Sequence, residues 1–201
     1  MTIAMLPRET AVLFVECQKG LLGPEGKMKT LVESARPMVA NMGRLASAAR
    51  EADVQVVHLT YFPVAGNRSS NRRPPLFQRF LPAIDEWHRD HPDVQPIDEI
   101  GVGADDLVLP RNTGLSPTYG TETFKLLRNI GMKTLVFAGI SANVAIPVAA
   151  TEAADEDFDV IIAGDAIAGA PQEHVDSMLK HTLPFIAEIW SIDQLAAAWK
   201  S

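Results

Sequence analysis

The sequence predicts an α/β protein, a three-layer, doubly wound (Rossmann-like) fold around a six-stranded parallel sheet. Three observations carry the prediction. Short runs rich in β-branched and aromatic residues recur along the chain, the first being Ala11-Val12-Leu13-Phe14-Val15. These runs are continuously apolar rather than alternating, as strands buried on both faces are. From Thr121 onward they alternate with segments of helical period, which argues right-handed crossovers between parallel strands.

The elements follow in order. The first strand ends at Glu16, and Gly20, Gly23, Pro24 and Gly26 mark a loop. Val39, Met42, Leu45, Ala46 and Ala49 then recur at helical spacing up to Ala52-Asp53, giving the first crossover helix. Residues Val54 to Leu59 read as the second strand, and Leu107 to Leu109 as a short third one before Pro110. Helices are expected over Glu122–Asn129, Asn143–Ala154, Gln172–His181 and Ile192–Trp199, with strands over Thr134–Ala138, Asp159–Ala163 and Ile186–Trp190. Glu16, Gly139 and Asp165 fall at or just past strand ends, where such sheets bind ligands. Residues from about 60 to 106 break the rhythm with Pro63, Pro74, Pro75, Pro82, Pro92 and Pro96. So long an irregular segment reads as a lid or an interface arm, ordered by Tyr61, Phe62, Phe77, Phe80 and Trp87.

Composition bounds the function. The chain has 201 residues, 47% hydrophobic and 21% charged, the balance of a folded globular protein, and residues 1–201 are read as a single domain. A net charge of −7 leaves no basic face to neutralise phosphates, so a small-molecule substrate is expected rather than nucleic acid or an anionic membrane. The stretch Met1–Pro7 lacks a basic segment followed by an apolar one, and no run of about 18 uncharged apolar residues occurs. A cytoplasmic protein without signal peptide or spanning helix is expected. Cys17 is the only cysteine, so no internal disulfide can form.

Three segments suggest chemistry. Glu16 closes a buried apolar strand, where a carboxylate costs free energy unless it is hydrogen-bonded or working; by itself it reads equally as a strand-end acid in an ion pair. Leu109 to Thr121 leads from a strand through a polar loop to a helix cap. Val136 to Ile146 is a strand, a tight turn and a helix start, whose free N–H groups can stabilise developing negative charge.

In this order and spacing the three segments resemble the isochorismatase-like family of cysteine hydrolases, over nearly the whole chain. The family pairs an Asp at the end of strand one with a Lys and a nucleophilic Cys. Its motif apolar-apolar-Ile-Asp-Met-Gln sets the Asp on Glu16 and the Gln on Gln18. Its turn motif Gly-Ile-Ser-Thr-Asp-Val-Cys-Val begins at Gly139 and sets the Cys on Ala145. The Lys falls on Asn112 or its neighbour Arg111, of which Arg111 keeps the positive charge. The chain thus resembles a divergent member with a degenerate triad of Glu16, Arg111 and Ala145, the last a vacant nucleophile position. The resemblance also implies the isochorismatase-like fold, a homodimer or larger homo-oligomer, and a cis peptide at Ile140-Ser141 that aims the Ser141 and Ala145 N–H groups into the pocket.

Each departure from the family pattern bears on chemistry. Glu for Asp lengthens the acid's arm, Arg for Lys keeps a cation that cannot relay a proton, and Ala for Cys removes the nucleophile. Cys17 is no substitute, since it points to the opposite face from Glu16 and packs as a small apolar residue. No metal and no cofactor are expected: His58 is followed by Leu59-Thr60 rather than the Asp-x-His of the metal-binding nicotinamidases, and His88, Asp90 and His91 read as a solvated loop. Isochorismatases of the family look able to dispense with the Cys, because an acid can protonate a vinyl ether and water add to the cation. The expectation is a hydrolase of vinyl-ether or related C–O or C–N bonds, with Glu16 as general acid or base and Arg111 on a substrate anion. Phe62, Trp87 and Tyr119 would wall the pocket, and Gln18, Asn112, Ser141 and Asn143 would bind substrate. The alternative is a catalytically inactive paralogue acting as a ligand-binding or partner subunit. A nucleotide-binding domain is disfavoured, since Cys17 to Gly23 lacks the Gly-x-Gly-x-x-Gly spacing.

Overall fold

The computed structural model describes residues 5–64 and 66–200; the first four residues of the stretch Met1–Pro7 lie outside them. The strands are β1 (Thr10–Val15), β2 (Gln55–Tyr61), β3 (Leu107–Arg111), β4 (Thr134–Ile140), β5 (Asp159–Ala168) and β6 (Glu188–Trp190). All pair in parallel, in the order β3-β2-β1-β4-β5-β6. The helices are α1 (Lys19–Leu22), α2 (Lys29–Glu51), α3 (Pro75–Phe80), α4 (Thr123–Asn129), α5 (Ala145–Asp155), α6 (Gln172–His181) and α7 (Ile192–Ala198).

The alternation of side chains along β1 divides the core into two layers. Val12 and Phe14 pack with Met42, Leu45 and Ala49 of α2 and Leu195 of α7 on one face of the sheet. Ala11, Leu13 and Val15 pack with Leu127 of α4, Ile146 and Ala149 of α5 and Val175 of α6 on the other. Covering both faces makes the central strands continuously apolar, whereas the edge strands β3 and β6 are half-exposed. The chain order reverses between β1 and β4, which opens a crevice at their carboxyl ends.

Three of the boundaries that differ from expectation bear on the site or show competing local rules. The first crossover helix begins at Lys29, not near Val39, because Leu31, Val32 and Ala35 continue its buried face; Pro37 sits inside it and removes one backbone donor without ending it. β3 runs through Pro110 to Arg111, a tolerated course because β3 is an edge strand. β5 continues past Ala163 to Ala168, crossing an irregularity where Phe137 pairs with Ile162 but Gly139 with Ile167.

The described residues between β2 and β3 contribute to the core. Tyr61, Phe62, Phe77, Phe80 and Trp87 are all buried and join the α2 side of the sheet, with Phe80 and Trp87 edge to face at 5.8 Å. Backbone bonds from Lys19 to Gln95 (2.9 Å) and from Ile97 to Cys17 (3.0 Å) fasten the β2–β3 segment to the residues that follow β1.

Away from that end, a buried polar cluster ties β2 to the start of β3. Asp106 accepts from His58 Nε2 (2.8 Å), Arg50 Nη2 (2.6 Å) and the Gly103 N–H (2.8 Å). His58 Nδ1 is buried without a partner, so a second ring proton there would be an orphaned donor. Burial lowers the imidazole pKa, ahead of the opposing pull of Asp106. Burial alone would raise the Asp106 carboxyl, but its hydrogen bonds from Arg50, His58 and Gly103 outweigh this and bring it below the usual carboxylate range. Both shifts mean that the folded chain binds fewer protons than the unfolded one, so stability falls as the pH is lowered. The His58 part is lost as pH drops below about 6.5 and the Asp106 part below about 4. Urea unfolding is expected to show this decline, and His58→Gln to flatten it between about pH 7 and 5 while leaving the lower limb; an unchanged profile would remove His58 from the account.

Candidate active site

Four strand ends bring the site together. Val15 pairs with Gly139, so Glu16, one residue further on, lies level with Ile140 across the switch point. Tyr61 and Arg111 pair as the last residues of β2 and β3. Arg111 therefore starts two strands away and reaches over the Tyr61 ring, with its guanidinium carbon 4.8 Å from the ring centroid, to Glu16. There Nη2 donates to Glu16 Oε1. Nε donates to the Gly114 carbonyl at 3.3 Å, and Nη1 is buried with no partner among the described residues.

Glu16 leaves the strand in a left-handed conformation, φ 53°, which a non-glycine residue adopts only where its surroundings hold it. Its N–H bonds the Leu59 carbonyl and its own carbonyl accepts from Gln18 N–H, both at 2.8 Å. Gln18 then locks the bend: Nε2 donates to the Tyr61 carbonyl (2.9 Å) and Oε1 accepts the Tyr61 N–H (2.7 Å). Just beyond, Gly20 lies against Trp87 so closely that a Cβ would stand 2.3 Å from the indole.

Glu16, Arg111, Ser141 and Ala145 line one cavity of about 460 Å³. Its apolar wall comes from Leu31 of α2, Tyr61 at the end of β2, Phe77 and Phe80 of the β2–β3 segment, and Leu115; Lys27, Lys29 and Arg79 also line it. Ala145 is the first residue of α5 and is buried, and first-turn N–H groups of a helix have no intrahelical partner. The Ile140–Ser141 peptide is cis.

Several residues expected at the pocket do other work. Gln18 has no exposed surface and its amide is fully used by Tyr61. Phe62 and Trp87 are buried behind the wall rather than in it. Asn112 donates to the Phe62 carbonyl at 2.9 Å, so Arg111, not Asn112, meets Glu16. Tyr119 is 78% exposed and lies outside the cavity. Asn143 does line it, but its amide is taken by the Ala170 carbonyl (2.8 Å) and N–H (3.0 Å), which makes it a clamp on a cavity-lining turn. Asp165 is remote, accepting the Ile192 N–H at 3.1 Å at the start of α7.

Cys17 does not line the cavity. It is buried, its Sγ lies 3.9 Å from Met42 Sδ, and burial, helped by the Glu16 charge, pushes its thiol pKa well up, away from a reactive thiolate. Among the described residues, no group of three or more acidic, His or Cys side chains is placed to hold a metal, and no helix is long and apolar enough to cross a membrane.

Comparison with known proteins places this site in context. Ureidoacrylate amidohydrolase RutB of Serratia proteamaculans (strain 568) is 30% identical over 164 residues, which cover 72% of this chain but only 63% of RutB. The uncharacterized isochorismatase family protein YecD of Escherichia coli O157:H7 is 27% identical over 195 residues, 95% of this chain and 96% of that one. The crystal structure of a cysteine hydrolase from Pseudomonas syringae pv. phaseolicola 1448A superposes with a TM-score of 0.83 at 20% identity, covering 99% of this chain and 96% of that one, and so shares the fold. The Isochorismatase domain matches residues 10–194, from the first residue of β1 into α7. With that match spanning the sheet, its helices and every strand end at the cavity, this chain belongs to the isochorismatase family.

Proposed function

We propose that the protein is a small-molecule hydrolase that works without a cysteine nucleophile or a cofactor, with Glu16 moving the protons. What supports this most directly is one arrangement: the Glu16–Arg111 pair and Ala145 share a cavity that the only cysteine does not line. With no thiol at the start of α5, a bound water serves as the nucleophile.

Glu16 accepts from Arg111 and so faces the cavity as a carboxylate, positioned to take a proton from a bound water as its oxygen adds to the electrophilic carbon. The negative charge that develops meets the N-terminus of α5 and the turn at Ser141. Glu16 then returns its proton to the departing oxygen or nitrogen. For a vinyl ether the order reverses: Glu16, entering the cycle protonated, delivers its proton to carbon, water adds to the resulting cation while Glu16 takes a proton back from it, and the hemiketal collapses to a carbonyl compound and an alcohol. Arg111 holds Glu16 in place through Nη2 while Nη1 is free for an anionic group of the substrate. The name of RutB, an amidohydrolase of ureidoacrylate, is consistent with C–N hydrolysis of a carboxylate.

Screening the purified chain against vinyl ethers, ureido acids and small amides tests the proposal. Turnover is expected to survive both a chelator and Cys17→Ala, and alkylating reagents should leave the native chain active, since its thiol is buried. Loss of activity in Cys17→Ala with the fold intact would restore covalent cysteine chemistry; single-site binding with no turnover of any compound would favour the ligand-binding paralogue.

A further inference from the structure

The charges of the cavity are lopsided. Among the described residues Glu16 is its only carboxylate, whereas Arg111, Arg79, Lys27 and Lys29 bring four cations to its wall in a chain of net charge −7. Lys27 lies 3.1 Å from Asp93 and Lys29 3.8 Å from Glu25, neither of which lines the cavity. Arg79 is exposed on α3 and has no ion-pair partner among the described residues. Deeper in, Arg111 is only 5% exposed, and its Nη1 is a buried donor without an acceptor. Such a group costs free energy until something supplies the missing acceptor.

The chemistry of that acceptor can be narrowed. A phosphate dianion calls for several charge-assisted donors at once, whereas one guanidinium nitrogen suits a single carboxylate oxygen. The surrounding wall of Leu31, Tyr61, Phe77, Phe80 and Leu115 is apolar, with the Tyr61 hydroxyl already engaged with Ser70 at 2.5 Å, while Thr30 and Ser141 bring hydroxyls to other parts of the lining. Tyr61 and Phe77 stack at 5.6 Å, presenting an aromatic surface, and about 460 Å³ holds a ring-sized ligand.

We infer that the substrate is a monocarboxylate with an arene-sized apolar body, its carboxylate seated on Arg111 Nη1, and that Arg79 and Phe77 set specificity, Arg79 by drawing the anion in and Phe77 by packing its body. The inference rests on the hydrolase proposal only in taking the ligand to be the substrate.

Calorimetric titration of the full chain with benzoate, benzamide and acetate separates the contributions. Benzoate is expected to bind at least about tenfold more tightly than either neutral benzamide or body-less acetate. Arg79→Gln should weaken benzoate about threefold at low ionic strength and not at about 0.5 M salt, because an exposed charge is screened. Phe77→Leu should weaken benzoate and leave acetate unchanged; since Phe77 is buried, the exposed Arg79 variant keeps the inference testable if Phe77→Leu does not fold. Benzamide or acetate binding as tightly as benzoate would overturn the inference, as would an Arg79→Gln variant with wild-type affinity at every salt concentration. Glu16→Gln is expected to retain the benzoate preference: that preference present alongside Glu16-independent turnover would sink the hydrolase mechanism alone, and its absence alongside Glu16-dependent turnover would sink this inference alone.

Discussion

Glu16→Gln is expected to lower kcat/KM by about 10²- to 10⁴-fold on whichever substrate the chain turns over, the usual worth of a positioned general acid or base. The substitution preserves shape, and its amide oxygen can still accept from Arg111 Nη2, so the left-handed bend and the strand end should survive. What is lost is the capacity to take a proton from water and hand it on. Removing the negative charge also leaves the Arg111 guanidinium, 5% exposed, without its counter-charge, a cost of about 1–3 kcal/mol in stability. Steady-state kinetics read beside far-UV circular dichroism and thermal melts separate the two effects. Wild-type turnover in a folded Glu16→Gln chain would end the assignment. Glu16→Asp is a finer probe: one methylene less withdraws the carboxylate from Arg111, and because reacting atoms must meet at about 3–3.5 Å, a partial loss is expected.

The fold was legible because its signal is written redundantly. Continuous apolar runs at β1, β2 and β4 follow from burial on both faces, and glycines, prolines and charged residues punctuate the connections. The errors lie where two local rules compete. Pro37 argues locally for a helix boundary, yet burial of Leu31 and Ala35 outweighs the one donor it removes. Pro110 argues for the end of a strand, yet an edge strand has a side that needs no donor. The first mistake conceals a site residue, since Leu31 lies in the missed part of α2, whereas Arg111, just after Pro110 in β3, was marked by its motif position.

The site was legible in its centre and not in its walls. Glu16, Arg111 and Ala145 come from motif positions beside strand ends, and topology alone puts strand ends together. The walls depend on how residues 60–106 fold back, which no period reveals. Composition flagged aromatics there without saying that Tyr61, Phe77 and Phe80 line the cavity while Phe62 and Trp87 are buried outside its lining. Polar residues misled for a related reason: Gln18, Asn112 and Asn143 look like ligand-binding groups in sequence, but each spends its amide on a backbone group at or beyond a strand end. A bend as tight as that after β1 leaves N–H and carbonyl groups unpaired, so side-chain amides close to a site more often brace it than touch what it binds.

Gly139→Ala is expected to cost about 3–5 kcal/mol, enough to remove much of the stability of an ordinary domain. Gly139 sits at φ 102°, outside the conformations that an L side chain accepts readily, which alone accounts for about 1–2 kcal/mol. A Cβ there would also stand 2.4 Å from the Val15 carbonyl oxygen and 2.6 Å from Cys17 Sγ. The first of these is backbone in the neighbouring strand, so β1 and β4 would have to move apart at the pairing that sets Glu16 level with Ile140. The expected result is therefore double: a lowered unfolding midpoint in urea, and, in the fraction that folds, a loss of turnover at a residue whose own atoms react with nothing. Cys17→Ala in the same chain relieves only the sulfur contact and should restore a minor part of the stability, because the backbone overlap and the strained φ remain. Full restoration by Cys17→Ala would mean that the sulfur, and not the close approach of β1 and β4, demands glycine here.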